Sequence, residues 1–292
     1  MKTAKVTSIV IFLAALLLSG YCYFVLNAGQ DKEGPQIVMD SGEIQVSISA
    51  GEEELLQGVT ATDKRDGDVT STLAVESTSN FIELGRRKIS IVAFDKDNNV
   101  TRTTREVVYT DYSSPVFSLS SPLKFSWNTD NMMEGLTASD CLDGDISNKI
   151  QITYEEGFSY SSLGAQKVIY SVSNSAGDVV SLPVTVELYD PSVQTSQPEL
   201  RLTDYLIYVP VGSAVNPWDY VQSVTVGGRT YEKQSDGLLH YSYNEEEVLG
   251  SDQVSVENPV DTNTPGVYEI VYSVTDEEGT VGSVRLIVSV NG

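Results

Sequence analysis

Three stretches of the chain alternate apolar and polar residues with a period of two. Ile89, Ile91 and Ala93 fall on one face of the first, Val168, Tyr170 and Val172 on one face of the second, and Ile270, Tyr272 and Val274 on one face of the third. That spacing predicts half-buried strands, because successive side chains of a strand point to opposite faces of its sheet. Each run is preceded by glycine (Gly85, Gly164, Gly266) and followed by a polar turn and a second apolar strand: TREVVYT, LPVTVELY and VRLIVSV. The pattern predicts the same closing hairpin three times. Each unit also opens on a proline and an extended segment, at Pro35, Pro115 and Pro198. Short strands, frequent turn signals and units of about 80 to 95 residues predict an all-β chain of three tandem immunoglobulin-like β-sandwiches. The expected boundaries are residues 29–112, 113–191 and 192–292, the last divergent and carrying an insertion.

The N-terminus follows a different pattern. Lys2 and Lys5 precede an uncharged stretch from Val6 to Ala28 with IVIFLAALLL at its centre. About 20 apolar residues suffice to span a bilayer, whereas a secretory signal is shorter and ends at a small-residue cleavage site. Residues 1–28 therefore read as a single-pass anchor or as a signal peptide, and either places the rest outside the cytoplasm. A lipoprotein signal is excluded because Tyr21 precedes Cys22 where a small residue is needed. With Cys22 in the apolar segment and Cys141 far along the chain, no disulfide is expected. The expected location is the cell surface, attached from the N-terminal side, since no sorting motif follows the last strand.

Within this frame, ATDKRDGDVT (61–70) returns 77 positions later as ASDCLDGDIS (138–147). The third unit has VTVGGRTYEKQSDG at that place instead. The proline-led strand, the motif A-[ST]-D-x-x-D-G-D-[VI]-[ST] and the closing hairpin resemble the bacterial immunoglobulin-like domains of Gram-positive surface proteins and of one pesticidal crystal toxin group. The resemblance covers residues 34–290. It implies a sandwich fold and a spacer or adhesive role.

In such a sandwich the motif loop and the loop between the last two strands share the pole where the chain enters. Asp63, Asp66 and Asp68 should then meet Asp95 and Asp97, and Asp140, Asp143 and Asp145 should meet Asn174 and Asp178. Asp31 and Glu33 would join the first cluster and Asp111 the second. Two readings compete. Converging carboxylates repel, and Ca²⁺ with six to eight oxygen ligands would neutralise them and stiffen the joint, as in cadherin-type stalks. Alternatively Asp-Gly-Asp is turn chemistry, with Gly taking a positive φ and the carboxylates accepting nearby backbone N–H groups. An EF-hand is excluded: the acids sit at offsets 0, 3 and 5, and its twelfth position holds Ala74 or Gln151.

Composition narrows the partners. Forty-one acidic against 18 basic residues give a net charge of −23, which repels nucleic acid. Paired aspartates could serve glycoside hydrolysis, but the same clusters recur in two small domains with no expected cleft. The one histidine, His240, is expected to be an exposed loop or strand residue. Trp127, Trp218, Tyr231, Tyr241 and Tyr243 could line a glycan-stacking or partner-contacting face, or pack as core. The reading is a non-enzymatic surface stalk or adhesin whose partner is an extracellular protein or glycan, with a glycan-tethering module as the alternative.

Overall fold

The computed structural model describes residues 2–28, 32–193 and 197–291, and within the first helix the side chains of 7, 8 and 10–25. The chain divides into two compact units, Met1–Tyr112 and Ser113–Gly292. Helix α1 spans Lys2–Ala28. Among the described residues no helix is long and apolar enough to cross a membrane. Within α1 the side chains of 2–6, 9 and 26–28 lie outside those described.

The first unit is a sandwich of seven strands: β1 (Gln36–Met39), β2 (Glu43–Val46), β3 (Val59–Asp63), β4 (Gly67–Asp68), β5 (Ala74–Glu83), β6 (Arg86–Phe94) and β7 (Val100–Tyr109). One sheet has the order β1-β3-β4, the other β2-β7-β6-β5, with β2 parallel to β7. The period-two residues do what their spacing predicts. Ile89 and Ile91 face inward beside Val107, while Lys88 and Glu106 pair on the outer side of the same hairpin.

In the second unit that architecture occurs twice. The second sandwich comprises β8 (Val116–Leu119), β9 (Lys124–Ser126), β10 (Leu136–Asp140), β11 (Gly144–Asp145), β12 (Gln151–Tyr154), β13 (Gly164–Ser173) and β14 (Val179–Tyr189), in sheets β11-β10-β8 and β12-β13-β14-β9. The third comprises β15 (Glu199–Leu202), β16 (Leu206–Pro210), β17 (Val221–Val226), β18 (Arg229–Lys233), β19 (Leu239–Tyr241), β20 (Asn244–Leu249), β21 (Val254–Glu257), β22 (Gly266–Thr275) and β23 (Val281–Asn291). Its insertion enlarges one sheet to β15-β17-β18-β19-β20, facing β16-β23-β22-β21. The divergent stretch 224–237 thus builds a hairpin through Gly227-Gly228 where the other copies carry the aspartate loop.

These two sandwiches pack face to face. Along β14 the residues Val184, Val186 and Leu188 point into the second core, and Thr185 and Glu187 point outward to meet the outer face of β22 and β23. Consequently the last five core-end residues of β23, Leu286 to Val290, are all buried, where a one-sided strand would alternate. Ile287, 2% exposed, belongs to the core of the second sandwich although it lies on a strand of the third. Arg285 sits between Glu187 at 3.8 Å and Glu269 at 3.5 Å, and Lys124 lies 3.4 Å from Glu187. The Tyr208 hydroxyl accepts from the Phe117 amide at 2.9 Å and donates to the Phe117 carbonyl at 3.1 Å, capping the edge of β8.

Candidate functional site

The repeated decamer folds into the same turn in both copies. Ala61 and Ala138 sit in the core, and Asp63 and Asp140 are each only 8% exposed. Asp63 Oδ1 accepts the amides of Arg65 and Asp66 at 2.8 and 2.9 Å; Asp140 Oδ1 accepts those of Leu142 and Asp143 at 2.9 and 3.0 Å. Gly67 and Gly144 then take φ of 76° and 71°, a region closed to side-chain-bearing residues without strain. Asp68 accepts the Thr70 amide and Asp145 the Ser147 amide, both at 2.9 Å. The hydroxyl of Thr70 accepts the Ala61 amide at 3.1 Å, and that of Ser147 the Ala138 amide at 3.0 Å. Val69 and Ile146 return the chain to the core. Asp63, Gly67, Asp68 and Thr70, with their counterparts Asp140, Gly144, Asp145 and Ser147, thereby close the turn from within.

As expected, the closing-hairpin loop lies against this turn. Asp66 Oδ2 accepts the Lys96 amide at 2.9 Å, and Asp97 pairs with Arg65 at 3.0 Å. In the second copy Asp143 accepts from the Ser175 amide at 2.7 Å and its hydroxyl at 2.6 Å, while Asn174 Nδ2 donates to Asp140 at 3.2 Å. The hairpin loop is itself a fixed turn in all three sandwiches. Asp95, Asn174 and Asp276 accept the amide four residues on, from Asn99, Asp178 and Thr280. The fourth position has positive φ each time, at Asn98, Gly177 and Gly279.

The loop cations, overlooked in reading the acids as a cluster, supply the neutralising charge. Lys64 reaches Glu33 at 2.6 Å, Lys96 reaches Asp66 at 3.3 Å, and Lys149 reaches Asp143 at 2.8 Å. Lys64 and Arg65 lie inside the first motif itself, so the signal was in the sequence. Hydrogen bonds to the Lys96 amide hold the Asp66 carboxyl below the usual range. Lys149 and then Ser175 do so for Asp143, and the hydroxyls of Thr70 and Ser147 for Asp68 and Asp145. Among the described residues no group of three or more His, Cys, Asp or Glu is placed to hold a metal ion.

Two linker expectations change. Asp31 lies outside the described residues. Asp111 accepts from the Ile48 amide and the Ser47 hydroxyl, both at 2.7 Å, within the first sandwich. The segment that reaches the second motif is Ser113, whose carbonyl accepts from Cys141 Sγ at 3.1 Å.

The aromatic residues separate. Trp218 packs half-buried on the third core, and Tyr231 is buried with its hydroxyl donating to Glu247 at 3.0 Å. Tyr241 lies between Tyr231 and Tyr243, with ring centroids 5.6 and 5.7 Å apart and planes inclined by 45° and 63°. Arg229 lies over Tyr241 at 5.6 Å, and Tyr243 is 89% exposed. Tyr241, Tyr243 and Arg229 therefore form a mixed aromatic and cationic surface on the inserted strands. A groove of about 420 Å³ opens along the seam of the second and third sandwiches, lined by Glu155, Lys167, Glu257, Tyr268, Glu269 and Arg285 among others. The motif aspartates do not line it.

Residues 222–290 match the family of bacterial surface protein Ig-like domains, which bears out the resemblance read from the repeat. An uncharacterized 81.3 kDa protein of Acholeplasma phage L2 is 24% identical over 95% of this chain and 36% of its own length. Pesticidal crystal protein Cry22Aa of Bacillus thuringiensis is 26% identical over 75% of this chain and 28% of its own. The chain thus spans about a third of the curated relatives it matches. Among solved structures it is similar to CBM51-2 with INT domains of Clostridium perfringens ZmpB, in complex with GlcNAc (16% identity, 61% of this chain and 42% of that one, TM-score 0.25). It is also similar to Drosophila N-cadherin EC1-4 (14% identity, 90% and 68%, TM-score 0.20).

Proposed function

We propose that the chain is a non-enzymatic bacterial cell-surface protein that presents its third sandwich on a structural support. The observation that supports this reading is the local bonding of the repeated motif: Asp63, Asp68, Asp140 and Asp145 accept amides of their own turn, and Asp66 and Asp143 tie that turn to the closing-hairpin loop. The match of 222–290 to bacterial surface Ig-like domains supports the same location. The apolar helix α1, with Ile11, Phe12, Leu17 and Leu18 more than half exposed, serves as the membrane attachment. Protease treatment of intact bacterial cells expressing the full chain tests the placement. Digestion of residues 32–291 on intact cells is the expected result; a chain protected until lysis would refute it.

A glycan-tethering role is favoured by one observation, the Arg229–Tyr241–Tyr243 surface on inserted strands that the other two sandwiches lack. Stacking on exposed tyrosine with a neighbouring cation suits sugar recognition. Glycan-array binding that is lost in Tyr243→Ala and kept in Trp218→Phe would establish it; no binding by the full chain would dismiss it.

A further inference from the structure

The one histidine of the chain lies in the inserted sheet. His240 stands on β19, with Glu232 of β18 and Val248 of β20 as its register partners. Its Nδ1 faces the main-chain oxygen of Glu245 at 2.5 Å, and its Nε2 faces Oδ2 of Asp236 at 2.8 Å. Both partners are acceptors. A neutral imidazole carries one N–H and would set a lone pair against one of these oxygens, whereas imidazolium donates to both. The charged groups facing the ring are acidic from each element around it: Asp236 from the turn before β19, the Glu245 carboxylate from β20 and Glu232 from β18. The nearest cation in sequence, Lys233, donates instead to the Trp218 carbonyl. The Glu245 carbonyl first, then Asp236, raise the His240 pKa above its ordinary value.

The strands it joins need the help. β19 has three residues, and its pairing with β20 is broken by a register shift at His240/Tyr241. A short, irregular pair with much solvent-exposed backbone opens at low cost, so two ties to flanking turns weigh heavily in its local stability.

We propose that the β18–β20 insertion is a proton-closed clasp, in which doubly protonated His240 ties the 234–238 turn to the start of β20 and loss of one ring proton unfastens one tie. A group whose folded pKa is raised contributes fully below its unfolded value of about 6.5 and ceases to contribute as pH rises through the folded value. The clasp therefore loosens as pH rises through that raised value and frees β19, which bears Tyr241, and the turn that bears Tyr243. It operates whether or not those tyrosines bind glycan.

The test uses the full chain in detergent micelles. The ring of the one histidine should titrate in NMR with a midpoint above about 6.5 and show two N–H nitrogens below it. Amide hydrogen exchange by mass spectrometry, corrected for the chemical rate, should show segment 234–249 losing protection about five-fold between about pH 6 and about pH 8.5 relative to segment 266–290. His240→Gln should show the loosened state at both pH values, and Asp236→Asn should lower the NMR midpoint. A midpoint at or below the unfolded value, equal protection at both pH values, or an unchanged pH response in His240→Gln would overturn the proposal.

Discussion

Replacing Asp140 by alanine separates turn-closing from calcium binding. The substitution deletes acceptors for the Leu142 and Asp143 amides at 2.9 and 3.0 Å and for Asn174 Nδ2 at 3.2 Å. Because Asp140 is 8% exposed, water replaces those partners incompletely. Hydrogen bonds contribute about 0.5 to 1.5 kcal/mol each, and more when a charged acceptor leaves donors stranded, so the loss comes to about 2 to 4 kcal/mol. In a cooperative unit of this size each kcal/mol moves Tm by about 2 to 4 °C, giving a drop of about 4 to 16 °C. The assay is thermal unfolding of the full-length chain in micelles, in a Trp218→Phe background so that fluorescence reports Trp127 in the same sandwich, with EDTA or with millimolar Ca²⁺. The structure predicts the same drop in both buffers and no gain for the wild type with Ca²⁺. A bound ion at a hundred-fold excess over its Kd would stabilise by about 2.7 kcal/mol, so a wild-type Tm that climbs with Ca²⁺ and a variant that does not would refute the reasoning. So would a variant melting within a degree of wild type in EDTA.

Asp66, Asp68, Asp143 and Asp145 have carboxyl groups held below the usual range by hydrogen bonds. Their contribution is present above the unfolded value of about 3.9 and is lost as pH falls through the lower folded values, so urea midpoints should hold from about pH 7 to about pH 5 and fall by about pH 3. Asn98 at φ 64° tolerates glycine but not a β-branched residue: Asn98→Gly should leave Tm within a few degrees, and Asn98→Val should lower it, the contrast corresponding to about 1 to 2 kcal/mol. Ile287→Ala removes a side chain that the second sandwich buries, and should cost about 2 to 4 kcal/mol in chemical denaturation. Tyr208→Phe, which loses both bonds to the Phe117 backbone, should cost about 1 to 2 kcal/mol in the same assay.

Much of the fold is legible in the sequence because its signal is local. Period-two alternation at Ile89–Ala93 and its two counterparts, fixed glycines and a recurring decamer specify three sandwiches without any long-range information. The convergence of Asp66 with the 95–99 loop follows from topology and was equally readable. What escaped is of two kinds. The partners of the aspartates are mostly backbone amides, which carry no letter, and their counter-ions Lys96 and Lys149 lie outside the motif. The face-to-face packing of the second and third sandwiches left a faint trace in LIVSV (286–290), where apolar residues run on instead of alternating. A single such run does not name its partner strand. Asp111 carries no letter that tells which loop it bonds, since a linker acid can cap the loop behind it as readily as the loop ahead.

Residues 113–292 form one compact unit rather than two independent beads, with Ile287 and the Arg285 bridge joining the second and third sandwiches. The chain has two tryptophans, Trp127 in the second sandwich and Trp218 in the third. In full-length Trp127→Phe and Trp218→Phe variants each remaining tryptophan reports its own sandwich, and urea unfolding of the two should give a single shared midpoint and slope. Separate midpoints, with the third sandwich melting while the second stays folded, would contradict the account.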